Sequence, residues 1–198
     1  IESAGVLIAE AGTGTGKTFA YLAPALIAGG RVIVSTGTKT LQDQLFHRDL
    51  PLVREALGVP AKVALLKGRA NYVCLHHLEE SSAGGTFASR EEARDIHAVA
   101  RFAGRTDSGD KAECLQVPEF SGAWARATST RENCLGAKCR HYEDCFVMKA
   151  RKSASDADIV VVTAPPGMSA RKALKRLRER DPDTAYDLNH VDSAGGAA

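Results

Sequence analysis

A glycine-rich run near the beginning of the chain constrains its fold more than any other feature. Residues 9–18 read Ala-Glu-Ala-Gly-Thr-Gly-Thr-Gly-Lys-Thr. Three apolar residues at 6–8 precede the run and predict a buried strand, and an apolar pattern at helical spacing follows it. A glycine-rich turn between a strand and a helix is typical of a phosphate-binding loop, because its backbone N–H groups can point at phosphate oxygens. The sequence therefore predicts a site for a nucleoside triphosphate at the start of a helix.

The same run supplies the side chains that such a site needs. The glycines let the backbone curl, the Lys17 ammonium can reach the β- and γ-phosphates, and the Thr18 hydroxyl can bind Mg²⁺. Ala11 stands where the strict pattern has glycine, whereas the Gly-Lys-Thr end of the motif is kept. The predicted nucleotide-binding residues are Gly12, Thr13, Gly14, Thr15, Gly16, Lys17 and Thr18.

The apolar patterns predict an α/β fold around this loop. Apolar runs at 31–35, 62–66 and 158–162 predict buried strands, and helical patterns separate them. Strands that alternate with helices indicate a parallel sheet. After the first of these strands we expect a helix that breaks at Pro51 and a further helical segment up to Leu57. The region 69–149 has little strand signal, and a helix is predicted there over 91–102.

Bulk properties exclude several classes of protein. The chain has 198 residues and a formal net charge of +2, which is no overall signature of a polyanion-binding protein. No apolar run approaches the roughly 18–20 residues of a membrane span. The five cysteines are an odd number beside a nucleotide-binding loop, which argues against a secreted disulfide scaffold. We therefore expect a cytoplasmic protein whose thiols are available to a metal.

Three of the cysteines lie close together in the sequence. They have the spacing Cys134-x₄-Cys139-x₅-Cys145, and either Cys74 or Cys114 could supply a fourth ligand. Four thiolates can hold an iron–sulfur cluster or a zinc ion. The spacing differs from the two-residue spacing of zinc ribbons and so favours iron–sulfur. The residues alone leave zinc, and unligated buried cysteines, open as alternatives.

Four motifs, taken in order, resemble one helicase family. They are the phosphate-binding loop, the threonine-rich run 35–45, the segment 67–74 and the three spaced cysteines. Over residues 1–163 the chain resembles the DinG/YoaA branch of the XPD-like superfamily 2 DNA helicases. The resemblance implies a RecA-like P-loop parallel sheet interrupted by a mainly helical iron–sulfur insertion. The implied domains are 1–68 and 151–163 for the motor domain and 69–150 for the insertion. Residues 164–198 lie beyond the match, and their many cations predict a divergent, basic, disordered tail, with a short basic helix as the alternative.

The resemblance also implies ligands and partners. It implies an ATP-dependent helicase that moves 5′→3′ on single-stranded or forked DNA in DNA repair, as a monomer with no membrane partner. The implied cofactors are ATP, Mg²⁺ and a [4Fe–4S] cluster on Cys74, Cys134, Cys139 and Cys145, with Cys114 as a bystander. The implied DNA contacts are Thr36, Thr38, Lys39, Gln42, Lys67 and Arg69, since hydroxyls, helix starts and cations suit phosphates. An ordinary solvated surface position is the alternative for each of the three cations.

The chain departs from this family in its acidic residues. An ATPase of this class needs a carboxylate pair after a buried strand, one for Mg²⁺ and one for the attacking water. The sequence has no Asp-Glu pair, and the match ends at Thr163. We therefore expect no catalytic residue in this chain, which resembles the N-terminal part of a helicase and should bind ATP without appreciable turnover. The alternative is a non-motor module that binds nucleotide and single-stranded DNA, and a P-loop kinase or transferase with structural zinc is less favoured.

Overall fold

The computed structural model describes residues 9–12, 14–84, 86–163 and Lys175. The predicted strand at 6–8, Thr13 and the predicted basic tail apart from Lys175 lie outside the described residues. The chain divides into two compact units. The first combines residues up to Leu66 with those from Ser153 onwards, and the second runs from Lys67 to Lys152.

A three-stranded parallel sheet forms the centre of the first unit. Its strands are β1 (Val32–Thr36), β2 (Val63–Leu66) and β3 (Ile159–Thr163), in the spatial order β1-β3-β2. In the register of the sheet, Thr36 pairs with Thr163, and Leu66 pairs with Val162. The carboxyl ends of all three strands therefore share one edge. The α/β prediction is confirmed, and the sheet is consistent with part of a RecA-like domain.

The helices of the first unit bury apolar side chains against this sheet. α1 (Lys17–Ala28) is the helix that the apolar spacing predicts, and it begins at the phosphate-binding loop and has Gly29 as its C-cap. The buried cluster contains residues from α1, from the helices after β1 and from two strands, and each such side chain contributes about 1.5–3 kcal/mol by leaving water. Its members are Leu22, Leu26, Val34, Leu45, Leu50, Val53, Ile159 and Val161.

Residues 39–57, between β1 and β2, form one continuous helical stretch, so the predicted break at Pro51 is wrong. α2 (Lys39–Gln44), a π-helical turn (Leu45–Asp49) and α3 (Leu50–Leu57) follow one another directly. Pro51 lies in the first turn of α3, where a missing N–H is tolerated. The π-helical turn before it replaces the regular i→i−4 ladder that a proline would otherwise break.

The second unit is mainly helical and has a core of its own. Its helices are α4 (Leu75–Ala83), α5 (Arg90–Ala103), α6 (Ala123–Ala127) and the larger part of α7 (Phe146–Asp156), up to Lys152. α5 confirms the predicted helix, and the Ser89 hydroxyl caps its start by accepting from the Glu92 N–H. The core includes Val73, Ile96, Val99, Ala123, Trp124 and Phe146. None of the helices in the described ranges is both long and apolar enough to cross a membrane.

Candidate functional site

The phosphate-binding loop has the backbone shape that its glycines predict. Gly14 and Gly16 have φ values of 78° and 79°, a left-handed conformation that residues with a Cβ rarely adopt. Gly16 is the N-cap of α1, and no side chain caps this end of the helix. The first turn of α1 also carries no acidic residue. The helix start therefore offers uncapped N–H groups and a positive dipole end to an anion.

Two side chains of the loop bond back to its own backbone. The Lys17 ammonium donates to the Ala11 carbonyl oxygen at 2.5 Å, and the Thr15 hydroxyl donates to the Gly12 carbonyl oxygen at 2.8 Å. Lys17 and Thr18 are half-buried at the first positions of α1. An ammonium has three donors, so Lys17 keeps further hydrogens for a phosphate while one is bound to the loop.

The predicted DNA-binding threonines lie at the carboxyl end of β1. The Thr36 hydroxyl donates to the Thr38 carbonyl oxygen at 3.0 Å. Thr38 is the N-cap of α2, and its hydroxyl accepts from the Leu41 N–H at 3.2 Å. Thr38 and Lys39 are exposed, whereas Thr36 is half-buried. The start of α2 therefore has an exposed hydroxyl residue and an exposed lysine, and the hydroxyl caps one of its first N–H groups.

Gln42 and Lys67, also predicted to contact DNA, are buried in the units to which they belong. Gln42 is fully buried, and its amide bonds to Leu66 and Thr163, the last residues of β2 and β3, and to Val161 within β3. Lys67 is 7% exposed, and its ammonium lies 2.6 Å from the Asp110 carboxylate. Neither side chain is placed at a surface where it could contact a phosphate. Arg69 is half-buried at the start of a short 3₁₀ turn in the second unit.

The second unit holds all five cysteines, and all of their thiols are free. Cys114 is buried, and the other four are half-buried. Cys74 is the N-cap residue of α4, and burial raises the pKa of its thiol. The backbone N–H groups of His77 and His76 oppose this rise, and a nearby Cys145 thiol adds to it. Cys74 and Cys145 are therefore close enough to interact electrostatically.

The donor chemistry of these residues fits a thiolate-bound cluster, but their side chains do not by themselves form a ligand group. Across the described residues, no three His, Cys, Asp or Glu side chains are arranged to hold a metal ion. Next to Cys74, however, the His76 Nδ1 and His77 Nε2 atoms are buried without a hydrogen-bond partner. Buried nitrogens without a partner are uncommon, and a sulfide-containing group bound nearby would offer them acceptors.

A salt bridge that the sequence patterns did not predict joins the loop between Cys139 and Cys145 to α4. The Glu79 carboxylate accepts from His141 Nε2 at 2.7 Å and also pairs with Arg140. The hydrogen bond from His141 is the largest cause that lowers the pKa of Glu79, followed by the charge of Arg140. Because Arg140 and His141 directly follow Cys139, this pair holds the loop near the helix that Cys74 caps.

Comparison with known proteins finds ATP-dependent helicases among the relatives of this chain. The chain is 53% identical to the ATP-dependent DNA helicase YoaA of Escherichia coli over 162 residues, which are 82% of this chain and 26% of that protein. It is 37% identical to the ATP-dependent helicase DinG of Mycobacterium tuberculosis over 177 residues, 78% of this chain and 26% of that protein. The chain belongs to the YoaA/DinG family.

Other relatives give the same family. YoaA of Haemophilus influenzae is 49% identical over 162 residues, which cover 82% of this chain and 25% of that protein. No protein-family model matches the chain. The chain spans about a quarter of the length of the YoaA and DinG relatives it matches, 26% and 25% in the first two.

Proposed function

We propose that this chain is the nucleotide-binding part of an ATP-dependent DNA helicase. The observation that carries the proposal is the loop around Gly14 and Gly16, whose left-handed backbone leads directly into the uncapped start of α1. The names of the YoaA and DinG relatives supply the reaction class. In this proposal the loop residues 12–18 bind ATP, with Lys17 on the β- and γ-phosphates and Thr18 on Mg²⁺.

Single-stranded or forked DNA is the proposed partner at the carboxyl end of β1. In this proposal Thr38 and Lys39, which are exposed at the start of α2, bind phosphates of the DNA backbone together with N–H groups of the helix start. Arg69 is a further proposed contact from the second unit. Because Gln42 and Lys67 are buried and bonded within the protein, we leave them out of the direct contacts.

A [4Fe–4S] cluster is the proposed metal group of the second unit. Cys74, Cys134, Cys139 and Cys145 would hold it, and Cys114 would remain a buried thiol. The cluster would cross-link segments of a small unit that has few strands. The unsatisfied nitrogens of His76 and His77 support the proposal, since buried imidazole N–H groups could donate to cluster sulfur.

Several finer features follow only from the family resemblance and belong to the same proposal. They are movement in the 5′→3′ direction, a role in DNA repair, a monomeric state and a cytoplasmic location, where thiols stay reduced. The sequence lacks an Asp-Glu pair after any strand. We therefore expect the 198-residue chain to bind ATP without appreciable hydrolysis.

Binding of a fluorescent ATP analogue with Mg²⁺ tests the nucleotide site. The Lys17→Ala variant should bind the analogue about 10–100-fold more weakly, because a charged hydrogen bond to phosphate is lost. Lys62→Ala, an exposed lysine of the same unit, is the matched control and should bind normally. If Lys17→Ala binds the analogue as tightly as the unchanged chain, the proposed nucleotide site is wrong. If the unchanged chain hydrolyses ATP and Lys17→Ala does not, the expected lack of hydrolysis is wrong.

A further inference from the structure

Gln42 of α2 has a fully buried side chain whose amide bonds to three groups. Its Nε2 atom donates to the carbonyl oxygens of Leu66 and Val161, each at 3.1 Å. Its Oε1 atom accepts from the Thr163 hydroxyl at 2.6 Å. Backbone carbonyl oxygens only accept, so they fix which end of the amide faces Leu66 and Val161. Both amide hydrogens are used, which leaves Gln42 no donor for a bound ligand.

The partners of Gln42 lie at the sheet edge where the site is expected. Leu66 and Thr163 are the last residues of β2 and β3. In open α/β sheets, ligands bind outside the carboxyl ends of the strands. Gln42 therefore ties α2 to two neighbouring strand ends, and the chain leaves β2 at Leu66 to enter the cysteine-bearing unit at Lys67.

A second set of bonds fixes the turn that leads into α2. The Thr36 hydroxyl donates to the carbonyl oxygens of Thr38 and Val162, at 3.0 and 3.4 Å. The Thr38 hydroxyl caps α2. Thr36 therefore bonds the start of this turn to β3, and Gln42 bonds the helix that follows the turn to the same strand. Between these two anchors, the residues at 37–40 are exposed.

We infer that Gln42 is a positioning residue for DNA binding: its buried amide fixes α2 on the ends of β2 and β3, so that Thr38 and Lys39 face the phosphate backbone. The inference rests on the proposed function and deepens it. It assigns Gln42 an indirect role, because the side chain holds the binding surface and does not itself contact the ligand.

The variant Gln42→Glu tests this role because it has nearly the same shape. A buried carboxyl has a raised pKa, so near pH 6 the protonated group can still donate one hydrogen bond. Once ionised, it faces two carbonyl oxygens and can no longer donate. The affinity for a fluorescent oligo-dT, measured by anisotropy, should be near that of the unchanged chain at about pH 6 and about tenfold weaker by about pH 8.5.

Two comparisons separate positioning from general damage. Gln44→Ala is the matched control, since Gln44 is exposed on the same helix and donates to Asp49. It should keep the pH profile of the unchanged chain. Gln42→Glu should still bind the ATP analogue over the same pH range. Among the described residues, the side-chain hydrogen bonds of the phosphate-binding loop do not involve the Gln42 amide.

A second pair of variants acts from the other side of the network. Thr163→Val removes the hydroxyl that donates to Gln42 Oε1, and should weaken DNA binding about threefold, whereas Thr163→Ser should restore it. The salt dependence of binding should keep its slope in both, whereas Lys39→Ala should lower it by about one unit.

Three results would count against these proposals. DNA affinity of Gln42→Glu that equals that of the unchanged chain over the whole pH range overturns the inference. So does a loss of ATP-analogue binding that matches the loss of DNA binding, because the defect would then be general. If the unchanged chain binds no single-stranded DNA, the proposed function itself falls, and the inference with it.

Discussion

Among the described glycines, Gly109 is the one at which a side chain would have the least room. Its φ is 65°, and a Cβ built on it would lie 2.2 Å from a ring carbon of the buried Phe146. Gly109→Ala should therefore lower the free energy of unfolding by about 2–4 kcal/mol, through backbone strain and overpacking together. Gly58→Ala has the same strain at a φ of 64° with no atom within 4 Å, and should cost about 1 kcal/mol.

Urea denaturation of both glycine variants measures this difference. Because the two sites share the left-handed backbone, the difference between the variants isolates the contact with Phe146. Equal destabilisation of Gly58→Ala and Gly109→Ala would mean that the Phe146 ring moves aside without cost.

Cys114 provides a prediction about pH at the scale of one residue. Burial raises the pKa of its thiol, and the N–H groups of Gln116 and Val117 only partly oppose this rise. Alkylation needs the thiolate. We therefore expect iodoacetamide to modify Cys114 more slowly in the native protein than in urea. In the native protein the reaction rate should rise only at a pH above the ordinary thiol pKa of about 8.5.

The raised pKa of Cys114 also determines how the stability of the fold changes with pH. The folded pKa of Cys114 lies above the unfolded one, so as pH rises the unfolded chain loses this proton first and is favoured. The free energy of unfolding should fall above the ordinary thiol pKa, and Cys114→Ala should remove that part of the fall. Peptide mapping by mass spectrometry follows the alkylation, and equal rates in native protein and urea would contradict the assigned burial.

At the scale of elements, the Lys67–Asp110 pair joins the beginning of the second unit to the segment that pairs with Tyr72. Both side chains are buried, so removing one partner leaves an uncompensated charge. Lys67→Met should cost about 3–5 kcal/mol of unfolding free energy. The double variant Lys67→Met with Asp110→Asn should recover most of it, because the amide keeps an acceptor for the Ala112 N–H and carries no charge.

A double-mutant cycle in urea measures the coupling of this pair. If Lys67 instead contacted DNA, as the sequence motif suggests, Lys67→Met would have a different effect. It would lower the slope of DNA affinity against salt concentration, on logarithmic scales, by about one unit without changing stability. The stability cost without a change of slope supports the buried pair, and the reverse result supports the surface role.

These elements show how far sequence patterns reach. Apolar runs between helical segments predicted the three strands that the described residues form, because a short, flanked apolar run is typical of a buried strand. The loop at Gly14 was predictable because its glycines are required by local geometry. Burial of Gln42 and Lys67 was not predictable, since their partners Val161 and Asp110 are distant in the chain and no local pattern announces them. Pro51 misled for a related reason, because the π-helical turn before it leaves no apolar signature.

On the scale of the whole molecule, each unit has its own buried core. The cluster around Leu22 and Val161 belongs to the first unit, and the cluster around Ile96 and Trp124 belongs to the second. The nucleotide loop and the proposed cluster ligands are therefore supported by different sets of side chains. Changes that disturb one core should leave the function of the other measurable.

Cys139→Ser tests this independence together with the cluster. Purified without oxygen, the unchanged chain should contain about four irons and absorb broadly near 400 nm, as thiolate-bound iron–sulfur groups do. Cys139→Ser should lose iron and this band, because three thiolates hold a four-iron group poorly. Cys114→Ala is the matched control and should keep both. ATP-analogue affinity should stay the same in all three proteins, because the two side-chain hydrogen bonds of the described loop residues, from Thr15 and Lys17, go to Gly12 and Ala11 of the first unit.

DNA binding should respond differently from nucleotide binding in the same variant. Loss of the cluster would loosen the second unit and the proposed Arg69 contact, while Thr38 and Lys39 remain on the first unit. We therefore expect Cys139→Ser to bind oligo-dT more weakly and ATP analogue normally. Equal losses of both would mean that the sheet depends on the cluster. One zinc and no iron in the unchanged chain would instead support a non-motor module that binds nucleotide and DNA, since the same four thiols can hold zinc.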